Sequence, residues 1–196
     1  MQNASAASSS RWRTVDIVVT AVLGAVFGVV FWAWGLFWNG PAAAIPAPFN
    51  ALLYGVWLIP PVLGPLVVRK PGAGVFASVV AAAVSAFLGS SWGLTTVVYG
   101  LVQGVAGEAA FAAFRYRGFR LPVALLGGLL AGIAASVLDI TMYYSANAVG
   151  VNIGYAACVM LSCVVVAGWG SWALTRGLAQ TGALDPFPSG RERAAV

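Results

Sequence analysis

The sequence predicts an all-α membrane protein, a bundle of six transmembrane helices, and two observations lead to that prediction. The chain of 196 residues is 61% hydrophobic and 8% charged, with a mean hydropathy of +0.91, whereas soluble domains carry about 25% charged residues. Its apolar residues are gathered into runs close to the ~20 residues that cross the ~30 Å hydrocarbon core of a bilayer as a helix. Most of the chain is therefore expected to lie in the membrane.

Six apolar runs follow one another, separated by short connections rich in glycine, proline or polar residues. They are residues 15–38, 51–68, 74–88, 95–115, 122–143 and 153–174. The second run contains three prolines, which predict a kinked or broken helix. The six-helix domain is placed at residues 11–178, between a disordered N-terminal tail (1–10) and a cytoplasmic C-terminal tail (179–196).

The positions of the basic residues predict the orientation. All ten lysines and arginines fall at the N-terminus or after the second, fourth or sixth run, and the other three connections contain none. Basic residues concentrate on the cytoplasmic side of membrane proteins. Both termini are therefore predicted to be cytoplasmic, in a multi-pass protein of a prokaryotic plasma membrane, and the net charge of +5 reflects topology rather than binding to nucleic acid.

Several kinds of chemistry are disfavoured by what the sequence lacks. It has no histidine and no nucleotide-binding motif, which removes most metal sites, His-based catalytic dyads and an ATPase of its own. Cys158 and Cys163 lie five residues apart in one apolar run, so they point to different helix faces and are read as small core residues. We expect a non-enzymatic protein without a metal or a cofactor.

The fourth run carries a charged and a polar residue inside a predicted span. Burying a carboxylate such as Glu108 in a membrane costs roughly 2.5–3.5 kcal/mol or more, so it normally faces protein or water and marks function. Gln103 lies about 140° away around the helix axis, so the two cannot point squarely into one pocket. Glu108 then either forms the floor of a cavity whose sides carry Gln103, or pairs with Arg115 two turns further on.

A second carboxylate, Asp139, lies about one turn from the outer end of the fifth run, and Tyr143 shares its helix face. It is read either as part of a pocket wall or as an interhelical hydrogen-bonding group. Many aromatic residues fall in the same outer half of the predicted bundle. An interfacial belt explains part of them, but as a group they also suit a flat cationic ring; they include Trp32, Trp34, Trp38, Tyr54, Trp57, Trp92, Tyr99 and Tyr144.

The first run contains two pairs of small residues spaced four apart. Ala21 and Ala25 form one pair, and Gly24 and Gly28 form the other on an adjoining face. Such pairs allow close approach of another helix in lipid. The partner is either a helix of this chain or another protein.

Five segments together resemble a known family. They are RWRTVDIVV at 11–19, YGVWLIP at 54–60, RKPGAG at 69–74, GSSWG at 89–93 and VQGVAGEAAF at 102–111. In order, chain length and six-span topology they are similar to the YkoE-type substrate-binding (S) component of energy-coupling factor (ECF) ABC transporters, which is linked to thiamin and its hydroxymethylpyrimidine precursor. The similarity covers nearly the whole chain apart from the two tails.

The resemblance implies a function. S components bind a vitamin near the outer side and work with a transmembrane T component and two cytoplasmic ATPases. Ala21 and Ala25 match the small-residue pattern that contacts the T component. Aromatic stacking is assigned to Trp92 and to Tyr99 or Trp57, polar recognition to Asn50, Gln103 and Tyr143, and charge recognition to Glu108 and Asp139. The alternatives are another flat heterocycle such as riboflavin, or a structural or assembly protein without a small ligand.

Overall fold

The computed structural model describes residues 11–191, so the tail predicted at residues 1–10 lies outside the described residues, as do the last five. The described chain is helical from end to end apart from short connections. A 3-10 helix, Phe49–Leu58, leads directly into α2, and a π-helical segment, Cys163–Trp169, joins α6 to α7. The α-helices are α1 (Thr14–Asn39), α2 (Ile59–Val68), α3 (Ala73–Phe87), α4 (Thr95–Ala113), α5 (Leu121–Met142), α6 (Val149–Ser162), α7 (Gly170–Gln180) and α8 (Pro188–Arg191).

The all-α prediction is confirmed for residues 11–191, where no strand occurs. Five helical stretches are long and apolar enough to cross a membrane: Thr14–Ala44, Phe49–Val68, Thr95–Ala113, Leu121–Met142 and Val149–Gln180. The remaining predicted span corresponds to α3, a shorter apolar helix of 15 residues. At a rise of ~1.5 Å per residue, α3 is about 22 Å long, somewhat less than the hydrocarbon core.

Successive long helices run in opposite directions, so that the bundle has two distinct ends. We call one the basic end, because the start of α1 and the connections α2–α3 and α4–α5 bring basic residues there, among them Arg13, Arg69 and Arg117. Contacts within each end support this arrangement. Trp12 donates from its indole to the Pro71 carbonyl at the basic end, and Asn39 donates to the Ser91 hydroxyl at the opposite end.

The second apolar stretch is the most enclosed part of the bundle. Of its most apolar window, 72% is buried, against 22–44% in the other four long stretches. Pro60 occupies the first turn of α2, where a backbone N–H would have no helical partner, and Pro65 lies inside the helix. The prolines thus start a new helix after Leu58 rather than simply kinking one continuous helix.

The glycine pair of α1 lies where α1 and α3 approach each other closely. A Cβ atom at Gly24 would lie 2.7 Å from the Val80 Cβ, and one at Gly28 would lie 2.5 Å from the Val84 Cβ. Both glycines are buried, whereas Ala21 and Ala25 remain half-buried. They border an exposed apolar stripe of α1 that includes Val18, Val22 and Val26.

The end of the chain folds back on the basic end. After α7, Leu184 and Phe187 become buried and pack with Leu63 and Val67 of α2. The Ser189 hydroxyl donates to the Val67 carbonyl at 2.8 Å. The described part of the C-terminal segment thus forms a small second core beneath α2.

Candidate functional site

A cavity of about 350 Å³ lies in the half of the bundle away from the basic end. It is formed by α1, the 3-10 helix, α3, α4, α5 and α6 and by the connections at that end. Among the described residues that line it, nine are aromatic and one is charged. They are Phe31, Trp38, Asn39, Tyr54, Trp57, Ser78, Ala82, Trp92, Thr96, Tyr99, Gly100, Gln103, Asp139, Tyr143, Tyr144 and Tyr155.

Asp139 is the charged group of this cavity, and two tyrosines hold its carboxylate. The Tyr99 hydroxyl donates to Oδ1 at 2.8 Å, and the Tyr155 hydroxyl donates to Oδ2 at 2.7 Å. The side chain is 5% exposed. A carboxylate accepts about four hydrogen bonds, so each oxygen keeps acceptor capacity for a cation or a donor in the cavity.

The wall to which the 3-10 helix contributes is a chain of aromatic rings in edge contact. The Trp57 ring lies 5.0 Å from Trp38, 5.3 Å from Tyr54 and 5.7 Å from Trp92, measured between centroids. Interplanar angles of 66–87° make these pairs T-shaped, which is a favourable arrangement of aromatic quadrupoles. On the other side Tyr99 lies 6.4 Å from Tyr143.

Gln103 supplies an amide to the inner part of the cavity. The side chain is 5% exposed, and its Nε2 lies 3.4 Å from the Tyr54 hydroxyl, to which it donates. Because Tyr54 belongs to the 3-10 helix and Gln103 to α4, this contact joins the two walls. The amide retains hydrogen-bonding capacity for a polar ring edge.

The structure brings six of the eight predicted substrate-binding residues together around this cavity: Trp57, Trp92, Tyr99, Gln103, Asp139 and Tyr143. Asn50 and Glu108 are not among its described lining residues. Asn50 lies in the first turn of the 3-10 helix, and its buried Oδ1 has no hydrogen-bond partner among the described residues.

Glu108 lies nearer the basic end, against the start of α3. It accepts hydrogen bonds from the Gly72 N–H, from the Val75 N–H at 2.9 Å and from the Tyr116 hydroxyl at 2.9 Å. From the sequence, Glu108 was expected either to form the floor of the cavity or to pair with Arg115. Among the described residues, Glu108 makes the three hydrogen bonds above instead. A carboxylate beneath a helix N-terminus satisfies amides that lack helical partners and interacts favourably with the helix dipole.

Tyr116 belongs to the same cluster, in the connection between α4 and α5. Burial and, to a lesser extent, the hydrogen bond to Glu108 raise its pKa above the usual value of a tyrosine. Its hydroxyl therefore stays protonated and donates to Glu108 throughout the physiological pH range.

The sequence did not single out Tyr155 as part of the site. Its position did carry a signal, because α5 and α6 run antiparallel and are joined by a short connection. Asp139 lies three residues before the end of α5 and Tyr155 six residues after the start of α6, which places them at similar depth. Depth alone does not say that the two side chains face each other.

Comparison with known proteins supports a transporter family. Residues 15–134 match the family described as "ABC-type cobalt transport system, permease component". A relative in Bacillus subtilis (strain 168), which carries the provisional name HMP/thiamine permease protein YkoE, is 32% identical over 188 residues, covering 92% of each chain. A crystal structure of an S-component of an ECF transporter matches with a TM-score of 0.90 at 32% identity, covering 94% of each chain.

These matches extend over nearly the whole chain, and they agree with the resemblance carried by the five sequence segments. They also confirm a multi-pass protein of the plasma membrane. The chain belongs to the family of ECF transporter S components that includes YkoE.

Proposed function

We propose that this protein captures thiamin or its hydroxymethylpyrimidine precursor from the outer side of the membrane and presents it for ATP-driven uptake. The observation that carries the proposal is the aromatic cavity with one carboxylate, Asp139, held by two tyrosine hydroxyls. The name of the B. subtilis relative points to the same ligand class.

The cavity suits the positive ring of thiamin. Thiazolium carries a permanent charge, and aromatic faces attract a cation by ~0.5–2 kcal/mol each, more when the cation is desolvated. Asp139 supplies the opposite charge in a buried position. A ring between Trp57 or Trp92 on one side and Tyr99 on the other would stack and lie close to Asp139.

The aminopyrimidine ring common to both ligands presents a donor beside an acceptor. A carboxamide binds such an edge with two parallel hydrogen bonds, as asparagine and glutamine do with adenine. Gln103 is the buried carboxamide of the cavity. We assign it the pyrimidine edge, with Tyr54 orienting the amide.

The size and chemistry of the cavity weigh against the other candidates. A volume of about 350 Å³ is near the lower end of the ~300–1,000 Å³ range of ligand pockets, which favours thiamin or a single pyrimidine over the three-ring riboflavin. Cobalt, named in the description of the matching family, prefers several nitrogen or oxygen ligands. The sequence has no histidine, and the described lining offers one carboxylate.

The proposal includes six spans with both termini in the cytoplasm. The basic end then faces the cytoplasm by the positive-inside rule, and the cavity lies toward the outside, as uptake requires. The protein would itself be non-catalytic. A T component and two ATPase subunits would assemble with it and supply the energy.

Calorimetry and tryptophan fluorescence on the detergent-purified protein, titrated with thiamin and with hydroxymethylpyrimidine, test the function. We expect saturable binding of at least one of them, with a change in fluorescence because Trp57 and Trp92 line the cavity. Riboflavin serves as the comparison ligand. A folded sample that binds neither compound would contradict the proposal and favour another heterocycle or a structural role.

We predict that Ala25→Leu lowers transport but not ligand binding. Ala25 borders the exposed stripe of α1, whereas Gly24 and Gly28 lie on the face of α1 that packs against α3. Overpacking a close contact costs ~1–3 kcal/mol, which corresponds to a loss of roughly 5- to 150-fold in association with a T component. The measurements are uptake of labelled thiamin and co-purification with the T component.

The control for this prediction is Val137→Leu, a substitution of an exposed side chain on a different helix, α5. It should leave uptake within about twofold of the wild type, since a surface change usually costs less than ~0.5 kcal/mol. Normal uptake by Ala25→Leu would exclude Ala25 from the contact.

A further inference from the structure

The cavity wall contains an unusual element, a 3-10 helix of 10 residues, Phe49–Leu58. Runs of 3-10 helix longer than three or four residues are uncommon because their hydrogen bonds are poorly aligned. This segment carries Tyr54 and Trp57 into the cavity. A part of the fold outside the segment must therefore favour this conformation over an α-helix.

Ser162, at the end of α6, contacts the backbone of this segment. The Gly55 N–H donates to the Ser162 Oγ at 2.9 Å, and the Ser162 hydroxyl donates to the Leu52 carbonyl at 2.6 Å. Leu52 and Gly55 are three residues apart, the spacing at which a 3-10 turn joins a carbonyl to an N–H. The hydroxyl thus bridges one turn of the 3-10 helix from outside.

This geometry differs from the usual behaviour of a serine in a membrane helix. Such a hydroxyl commonly donates to the carbonyl four residues earlier in its own helix. Ser136 of α5 does so, with its Oγ 2.8 Å from the Gly132 carbonyl. The two serines are equally buried, at 3% and 4% exposure, but Ser162 directs its hydrogen bonds to another segment.

The backbones of the two segments are also in close contact. A Cβ atom at position 55 would lie 2.6 Å from the Ser162 carbonyl oxygen, so that glycine is needed at this crossing. The π-helical segment Cys163–Trp169 begins at the next residue. Wider π turns often occur at functional sites and displace the groups beside them.

The helix type determines where Tyr54 points. Each residue is rotated around the helix axis by about 120° from the previous one in a 3-10 helix and by about 100° in an α-helix. Tyr54 lies five residues before Ile59, the first residue of α2. Conversion of the segment to α-helix would turn Tyr54 by about 100° relative to α2, away from Gln103.

We propose that Ser162 is a positioning residue for the ligand site: its hydroxyl holds the Phe49–Leu58 segment in the 3-10 conformation that places Tyr54 and Trp57 in the cavity wall. Ser162 is not among the described lining residues, so its effect on a ligand passes through those two rings. The part of this proposal that concerns affinity rests on the proposed function.

The experiment compares Ser162→Ala and Ser162→Cys with the matched control Ser136→Ala. Cysteine keeps approximately the size of serine but is a weak hydrogen-bonding group, which separates packing from hydrogen bonding. Hydrogen exchange of the peptides covering 49–58 and near-ultraviolet circular dichroism are measured without ligand. Thiamin affinity, hydroxymethylpyrimidine affinity and the melting temperature are measured for each variant.

We expect both Ser162 variants to exchange faster within 49–58 and to change the aromatic dichroism. They should also bind ligand about tenfold more weakly, because a smaller fraction of the molecules has the 3-10 conformation that can bind ligand. Exchange elsewhere should match the wild type, and Ser136→Ala should resemble the wild type in all these measurements. A purely structural role would instead raise exchange throughout the bundle and lower the melting temperature without the local change.

Unchanged exchange in 49–58, or faster exchange with wild-type dichroism and affinity, would overturn the proposal. If the wild type binds neither ligand, the proposed function fails. Exchange and dichroism then still show whether Ser162 holds the 49–58 segment in the 3-10 conformation. A local change confined to the Ser162 variants would then support the positioning role.

Discussion

Asp139→Asn is expected to reduce thiamin affinity by at least 30-fold. Asparagine keeps the shape of the side chain but removes the negative charge that faces the cavity. Removing one partner of a buried charge pair costs ~2–5 kcal/mol or more, and 2 kcal/mol corresponds to about 30-fold in affinity. Isothermal calorimetry measures the change directly.

The two proposed ligands should respond differently to this substitution. Thiamin carries the thiazolium cation, whereas hydroxymethylpyrimidine lacks it, so the loss of affinity should be much larger for thiamin. Equal losses for both would contradict charge recognition by Asp139 and place this carboxylate at the pyrimidine ring. The comparison therefore assigns one function to one residue.

The controls address charge and folding separately. Asp185→Asn removes a carboxylate at the basic end, in an exposed turn after α7, and should leave both affinities unchanged. Tyr155→Phe retains the Asp139 charge but removes a hydroxyl that orients it, and should weaken thiamin binding less than Asp139→Asn does. The melting temperature of each ligand-free variant shows whether the bundle remains folded.

The sequence was informative about spans and depth because both follow from hydropathy. The first predicted run, 15–38, corresponds to α1, and the fourth, 95–115, corresponds to α4. The last helical stretch extends beyond its apolar run to Val149–Gln180. Hydropathy shows only where the apolar part of a helix ends. The helix itself continues to Gln180 and stops shortly before Gly182, whose φ of +79° is incompatible with an α-helix.

The side-chain partners could not be predicted in the same way. The angle between Gln103 and Glu108 correctly indicated that they do not face one pocket. The partners of Glu108 come from the α2–α3 connection, from the first turn of α3 and from Tyr116, and only the packing of α3 against α4 brings them together. The 3-10 helix was also hidden, because the prolines that indicated a break follow that segment in α2.

Glu108→Gln is expected to lower stability strongly and to leave ligand affinity within about threefold of the wild type. Each oxygen of the carboxylate accepts a hydrogen bond, from the Val75 N–H on one side and from the Gly72 N–H and the Tyr116 hydroxyl on the other. Glutamine offers an acceptor on one side and a donor on the other, so at least one buried donor loses its partner. That loss costs ~1–3 kcal/mol.

Tyr116→Phe separates the contributions within this cluster. It removes one of the three hydrogen bonds to Glu108 and leaves the Gly72 and Val75 amides satisfied, so it should cost ~0.5–1.5 kcal/mol, typical of one hydrogen bond. The double variant should be less destabilised than the sum of the single variants, because both changes remove the same contact. Unfolding in mixed micelles, followed by circular dichroism, gives the three free energies.

Ligand affinity decides whether Glu108 has the structural role that its hydrogen bonds indicate or the ligand-binding role predicted from the sequence. A carboxylate that caps α3 affects the cavity only through the position of α4, in which Gln103 and Tyr99 lie about one and a half and two and a half turns before Glu108. Glu108→Gln should therefore bind thiamin normally once it is folded. A loss of affinity comparable to that of Asp139→Asn, without a loss of stability, would instead make Glu108 a ligand-binding carboxylate and would require the cavity to reach the start of α3.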